Sequence, residues 1–171
     1  MKVHYSQYAQ TTSPEAYCLD QKRSAFLYLK FLLIAAFLAV PAITYAEQKL
    51  PQITVYKSPT CVCCKKWIKH LEKNGFTVEA YNSRYMSTVK RELGVKPQYQ
   101  SCHTAMVDGY YIEGHVPAND IKRLLTERPK AIGLAVPGMP MGSPGMEGNR
   151  KDPHSVLLIS EEDTQQVYNK Y

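Results

Sequence analysis

The chain has no run of basic residues, no internal repeat and no apolar stretch long enough to cross a bilayer. Its 21 Lys and Arg against 15 Asp and Glu give a charge of +6 that is spread along the sequence. A dispersed excess is a solvated surface and excludes a dedicated nucleic-acid interface. The missing repeat excludes solenoids and propellers. The uncharged apolar run Phe31 to Val40 is too short to span roughly 30 Å of hydrocarbon as a helix. Cysteine is also scarce, with 5 residues in 171, but three of them crowd into Cys61-Val62-Cys63-Cys64.

The apolar run is preceded by Lys22, Arg23 and Lys30 and ends in Thr44-Tyr45-Ala46, a small-x-small site before Glu47. Basic flank, short apolar core and small-residue cut site are the marks of a secretory signal peptide. Residues 22–46 are therefore read as the signal, cleaved after Ala46. Residues 1–21 form a polar extension upstream of it, as if the start codon were set too early. They are excluded from fold reasoning together with Cys18. Residues 47–171 suffice for one domain, exported to the periplasm and without a stable membrane span once the signal is removed.

Oxidising compartments favour structural disulfides. Three cysteines within four residues staple nothing at long range, however, and a bridge between the adjacent Cys63 and Cys64 is strained.

Ile53 to Tyr56 alternates apolar and polar and predicts a strand, broken by Ser58-Pro59-Thr60. A helix follows, from within the cysteine cluster to Asn74, with Gly75 as its stop. Phe76 to Tyr81 predicts a second strand, and Ser87 to Leu93 a short helix. Thr104 to Val107 and Tyr110 to Glu113 predict a hairpin around Asp108-Gly109, which suits a type I′ turn. Val116-Pro117-Ala118 opens a third helix that runs to Arg128. The order β-α-β-α-β-β-α, with a cysteine motif at the first strand-to-helix junction, predicts a thioredoxin-like α/β fold. Parallel pairing of the first two strands follows from the crossover connection. Gly133 to Gly148, rich in Gly, Pro and Met, reads as a loop. Val156 to Ile159 reads as an edge strand, and the tail beyond Glu161 as merely polar.

Cys61 and Cys64 form a C-x-x-C pair at a helix N-terminus, where unpaired amides and the helix dipole favour thiolate. As attacking and resolving thiols they would serve disulfide exchange. Cys63 argues against that role, because a third thiol invites wrong disulfides, whereas a metal site uses it directly. In a thioredoxin-like fold the segment before the third strand passes beside the C-x-x-C. Enzymes of that fold usually carry a cis-proline there; this chain carries Cys102. Four sulfurs, Cys61, Cys63, Cys64 and Cys102, then form a soft donor set suited to Cu(I).

His103 adjoins Cys102, but strand alternation predicts that it faces the opposite side. His115, just after the hairpin, is a candidate to orient or ligate. His70 lies among lysines and reads as solvated; His154 is unplaced. Met139, Met141 and Met146 carry thioether sulfur that also suits Cu(I), and equally suit a flexible lid with Met filling gaps. Met86 and Met106 read as core.

Four segments occur in order: Cys61-Val62-Cys63-Cys64 with Trp67, Ser101-Cys102-His103-Thr104-Ala105, Glu113-Gly114-His115-Val116-Pro117-Ala118, and Gly133 to Pro140 continuing through Gly142 to Glu147. Together they resemble the CopG-type family, small periplasmic proteins with a predicted metal-binding domain and an association with copper resistance. The resemblance spans about Gln52 to Ile159. It implies a thioredoxin-like fold whose C-x-C-C and Cys-His motifs hold copper, as a multinuclear Cu(I)–thiolate cluster with redox activity. Carried over by residue, the ligands are Cys61, Cys63, Cys64 and Cys102, with His103 in the second motif. The leader is longer than the family pattern, and His154 stands where an aromatic is expected.

Three functions remain open on the sequence. The first is a periplasmic copper-binding protein in copper resistance, acting with other periplasmic copper-handling proteins. The second is a thiol–disulfide oxidoreductase using Cys61 and Cys64. The third is a structural zinc domain, disfavoured because zinc sites usually pair well-separated knuckles.

Overall fold

The computed structural model describes residues 49–171. The expected polar extension, the expected signal segment with its cut site after Ala46, and Cys18 lie outside the described residues. Among the described residues, no helix is long and apolar enough to cross a membrane.

The domain is mixed α/β. Seven strands form one sheet in the order β2-β1-β3-β4-β5-β6-β7: β1 (Ile53–Lys57), β2 (Val78–Asn82), β3 (His103–Val107), β4 (Tyr110–Glu113), β5 (Gly133–Ala135), β6 (Ser155–Ile159) and β7 (Gln165–Lys170). The helices are α1 (Val62–Lys73), α2 (Met86–Glu92) and α3 (Ala118–Glu127), with a 3-10 turn at Pro97–Tyr99. β1 pairs with β2 in parallel, as the crossover requires, and with β3 antiparallel. β4 and β5 are also parallel.

The two-residue alternation of the strands divides the core between the sheet faces. Ile53, Val55, Ala105, Ile112, Leu134 and Leu158 share one cluster with Trp67 and Leu71 of α1 and Ile121 and Leu124 of α3. Tyr111, Ala135 and Ile159 share the other with Val95 and Tyr99. β4 is buried along its whole length, and its near-continuous apolar sequence fits a strand covered on both faces. Asp108 and Gly109 in the hairpin have φ of 48° and 88°, the positive pair that a type I′ turn needs.

Three expectations are corrected. Gly133–Ala135 is not loop but strand β5, held between β4 and β6. β6 is not an edge, because the polar tail forms β7 against it. Its exposed, polar pattern is that of an edge strand, whose sequence carries little apolar signal. His70 is not simply solvated. Its Nε2 accepts the Ala118 backbone N–H at 3.0 Å, capping α3 from α1. His154 stacks on Tyr171, ring centroids 5.3 Å apart. Met86 and Met106 are both half-buried, Met106 against the smaller cluster.

Burial, followed by Lys73, holds the His70 pKa below its ordinary 6.5, with Glu147 acting the other way. Protonation on Nε2 removes the acceptor that Ala118 uses. A folded pKa below the unfolded one means that the contribution is full above about pH 6.5 and is lost as pH falls through the folded value. Unfolding curves from pH 7.5 to 5 are therefore expected to show the wild type losing stability relative to His70→Gln, which keeps an acceptor and does not titrate. Parallel curves for the two proteins would refute the cap.

Candidate metal centre

The strand-to-helix junction after β1 delivers the first three sulfurs. Cys61 takes the N-cap position of α1, and its Sγ accepts the Cys64 N–H at 3.2 Å. A sulfur that caps a helix faces the unpaired amides and the positive end of the dipole. Cys64 is buried at the head of the apolar stripe continued by Trp67 and Leu71, while Cys61 and Cys63 are half-buried.

Cys102 comes from the bend that enters β3. Its Sγ lies 3.8 Å from Cys63 Sγ and 3.6 Å from Cys64 Sγ, and Cys63 is 3.4 Å from Cys61. All four sulfurs fall within 4.8 Å of one another. Ligands held at about 2.3 Å from one ion sit at comparable separations. Cys61 and Cys64 are joined as a disulfide, and Cys63 and Cys102 are free.

Two imidazoles meet Cys102 from the other side. His103 Nδ1 is 3.3 Å from its sulfur and His115 Nε2 is 3.1 Å away. The expectation that His103 faces away is corrected: β3 begins at His103, so Cys102 lies in the bend before it and strand alternation does not relate the two. Cys102, His103 and His115 form a second group with ligand atoms within 4.8 Å. Cys102 belongs to both groups.

Both histidines are buried. Burial lowers the His115 pKa, and burial followed by the neighbouring His115 lowers that of His103 well below its ordinary value. Both rings are thus neutral at pH 7 and keep a lone pair for a ligand. His115 Nδ1 donates to the Pro144 carbonyl at 2.7 Å, which leaves the Nε2 lone pair facing Cys102. A carbonyl that fixes a tautomer in this way is the usual support of a metal-binding imidazole. His103 Nε2 is a buried nitrogen without a hydrogen-bond partner, and the ring lies 4.3 Å from Trp67, centroid to centroid. Trp67 donates its indole N–H to the Val116 carbonyl at 2.8 Å, tying α1 to the segment after His115. Burial, with Cys63 next in effect, pushes the Cys102 thiol up to about 12. A cation that displaces its proton relieves that penalty.

Beneath Cys102 lies a cluster of charges that sequence reasoning missed. The fully buried Glu113 carboxylate accepts from Lys90 Nζ at 2.6 Å, from the Ser101 backbone N–H at 2.6 Å and from Thr104 Oγ1 at 2.5 Å. Lys90 also donates to Thr104 at 2.9 Å. Burial raises the Glu113 pKa against the pull of Lys90. One carboxylate thus ties α2, the bend carrying Cys102 and the strand leading to His115. The available signal was a lone acid ending the apolar run Tyr110-Tyr111-Ile112.

The Gly/Pro/Met segment is fastened over the site by its backbone. Pro144 holds His115, and Gly145 lies against α1. Gly145 has φ of +87°, and a Cβ there would stand 2.8 Å from the Cys63 carbonyl oxygen and 2.8 Å from the Trp67 nitrogen. Met139 is 54% exposed, Met146 is half-buried, and Met141 lines a cleft of about 180 Å³ with Lys151, Asp152, His154 and Tyr171. Gly145→Ala is expected to push this segment off α1 and free Pro144 from His115. The strained backbone costs about 1–3 kcal/mol, and loss of the orienting carbonyl weakens metal affinity roughly 10–100-fold. Chemical unfolding and metal competition, run together, check both.

A cluster of four sulfurs and two neutral imidazoles on an α/β scaffold defines a candidate soft-metal-binding protein. Comparison with known proteins agrees. Residues 99–146 match the family described as a protein of unknown function, DUF411. Two solved structures, the copper resistance protein CopG in its Form 2 and Form 1, are each 48% identical, cover 71% of this chain and 98% of their own, and have TM-scores of 0.69 and 0.68. No curated protein matches. The chain belongs to the CopG copper-resistance family.

Proposed function

We propose that the domain is a copper-binding protein of copper resistance that holds Cu(I) as cargo in the periplasm. The observation that carries this reading is the convergence on Cys102 of two ligand groups, one all sulfur and one sulfur with two imidazoles. Thiolate selects Cu(I), and imidazole accepts it. A thiolate common to both groups supports a multinuclear cluster with Cys102 as a bridge. Cys61, Cys63, Cys64 and Cys102 are the proposed ligands, with His103 and His115 beside Cys102; Met139, Met141 and Met146 belong to the covering segment. The order β2-β1-β3-β4, with the cysteine helix after β1, supports a thioredoxin-like core extended by β5 to β7. The basic flank, apolar run and Ala46 site support export, which places the protein among other periplasmic copper-handling proteins.

An anaerobic Cu(I) titration of the fully reduced protein, with metal content by mass spectrometry and free thiols counted in parallel, tests the reading. More than one Cu(I) per chain with all four thiols protected is expected. No copper retained against a competing chelator, with the thiols still reactive, would refute it.

The Cys61–Cys64 disulfide favours a second reading, a thiol–disulfide oxidoreductase. That reading requires metal-free reduction of a model disulfide, lost in Cys61→Ser and unaffected in Cys102→Ser.

A further inference from the structure

Core and solvent divide α1 between them. Cys64, Trp67 and Leu71 are buried, whereas Val62, Lys65, Lys66, Lys69 and Lys73 are exposed. Helical spacing gathers the exposed five on one face, which at a rise of about 1.5 Å per residue runs about 16 Å along the axis. Elsewhere in the described residues Lys90, Lys96, Arg123, Arg128 and Arg150 each pair with a carboxylate. No carboxylate among the described residues forms an ion pair with any of the four α1 lysines. Lys66, Lys69 and Lys73 instead line a cleft of about 290 Å³ with His70 and Glu147. Glu147 accepts the Gly145 backbone N–H at 2.7 Å, and one carboxylate against three ammonium groups leaves the cleft positive.

The same face turns apolar where it meets the metal centre. Val62, between the proposed ligands Cys61 and Cys63, is 65% exposed. Met139, also exposed, follows Gly138, whose N–H donates to the Gln100 carbonyl at 3.2 Å beside the Cys102 bend. An apolar centre with a charged edge is the composition of a protein contact surface.

We propose that this face of α1 docks an acidic protein that carries Cu(I) to the site. The inference rests on the copper-binding reading and deepens it by naming the partner's chemistry. Cu(I) disproportionates as a free aqueous ion, so it reaches a thiolate site on a carrier. Val62 and Met139 supply the apolar centre of the contact, and the lysines draw the carrier's carboxylates. The half-buried Cys61 and Cys63 stand at the head of the lysine face, so a carrier drawn along α1 arrives with its copper at the sulfurs. Cu(I) keeps its oxidation state in the transfer. Its bonds to the carrier's soft donors are replaced by bonds to cysteine sulfur, which releases its proton to water. Exposed charges at the edge of a contact act on the encounter rate and its salt dependence more than on affinity. The lysines therefore govern how fast copper arrives, while the buried donors govern how tightly it is held.

The probes are synthetic peptides that carry one Met-x-x-Met copper site flanked by acidic (Glu), neutral (Gln) or basic (Lys) residues. Each is loaded anaerobically with Cu(I) and mixed with the reduced protein, and the Cu(I)–thiolate ultraviolet absorption is followed by stopped flow. At low ionic strength the acidic peptide should deliver copper at least about tenfold faster than the neutral one, and the basic peptide slowest. The advantage should vanish near about 1 M salt, where charges are screened within about 3 Å. Lys69→Glu/Lys73→Glu should reverse the order, with the basic peptide fastest. Those positions lie about 9 and 15 Å along the axis from Cys63, beyond the screening length of about 8 Å in physiological salt. Equilibrium Cu(I) affinity there should therefore match the wild type. Equal rates for the three peptides, or an unreversed order in the variant, would overturn the proposal. So would sedimentation of the protein with phosphatidylglycerol vesicles at physiological salt that the variant abolishes, because the face would then serve a membrane. Copper taken up at equal rates sinks this inference alone, and copper taken from none of the peptides sinks the copper reading itself.

Discussion

Cys102→Ser is expected to lower Cu(I) affinity at least about a hundredfold, beyond the 10–100-fold loss of a partner that merely orients a ligand, and to reduce the number of ions bound per chain. The reason is topological. Cys102 is the residue present in both ligand groups, so its loss breaks the sulfur set and the sulfur–imidazole set together. Cys61→Ser removes a donor from the first group only and should leave Cys102, His103 and His115 in place. Serine is close in size to cysteine, and Cys102 is half-buried rather than core, so the fold should survive, as circular dichroism can verify. Competition with a Cu(I) chelator measures the difference between the two variants. Equal losses in Cys102→Ser and Cys61→Ser would contradict the bridging position, and unchanged loading in Cys102→Ser would remove it from the site.

The sequence revealed the sulfurs well, because their signal is local. Three cysteines at a strand-to-helix junction must share one helix end, whatever follows. Cys102 was legible through the predicted strand order, since the segment entering β3 has to pass that end. His103 was misjudged for an equally physical reason: alternation holds within a strand, and the bend at Cys102 lies before it. Gly133–Ala135 escaped because three residues opening on glycine offer no period. Gln165–Lys170 escaped because an edge strand exposed along most of its length buries almost nothing. The supporting contacts were the least visible. Pro144 and Gly145 act through backbone atoms, which leave no side-chain pattern beyond the glycine itself. Lys90 sits in Val89-Lys90-Arg91-Glu92, where a buried cation looks like any surface lysine, and its partner is 23 residues away.

That hidden pair should dominate the stability of the bend. Lys90 and Glu113 are buried to 4% and 0% exposure and lie 2.6 Å apart. Taking both charges out of water costs several kcal/mol per ion, so the pair as a whole adds little net stability. Removing one partner is different, because it strands the other. Lys90→Met and Glu113→Gln are each expected to destabilise the protein by about 3–5 kcal/mol, measured by urea unfolding of the metal-free, reduced protein. The double variant Lys90→Met/Glu113→Gln should lose well under the sum of the two, because no uncompensated charge remains. Glu113→Gln has a further consequence that Lys90→Met shares only weakly. It alters the acceptor of the Ser101 N–H, one residue from Cys102, so Cu(I) affinity should fall more in Glu113→Gln than in Lys90→Met. Additive stability losses would show that the two charges do not act as a pair. Equal copper affinity in both variants would show that the carboxylate holds the sheet together without holding Cys102.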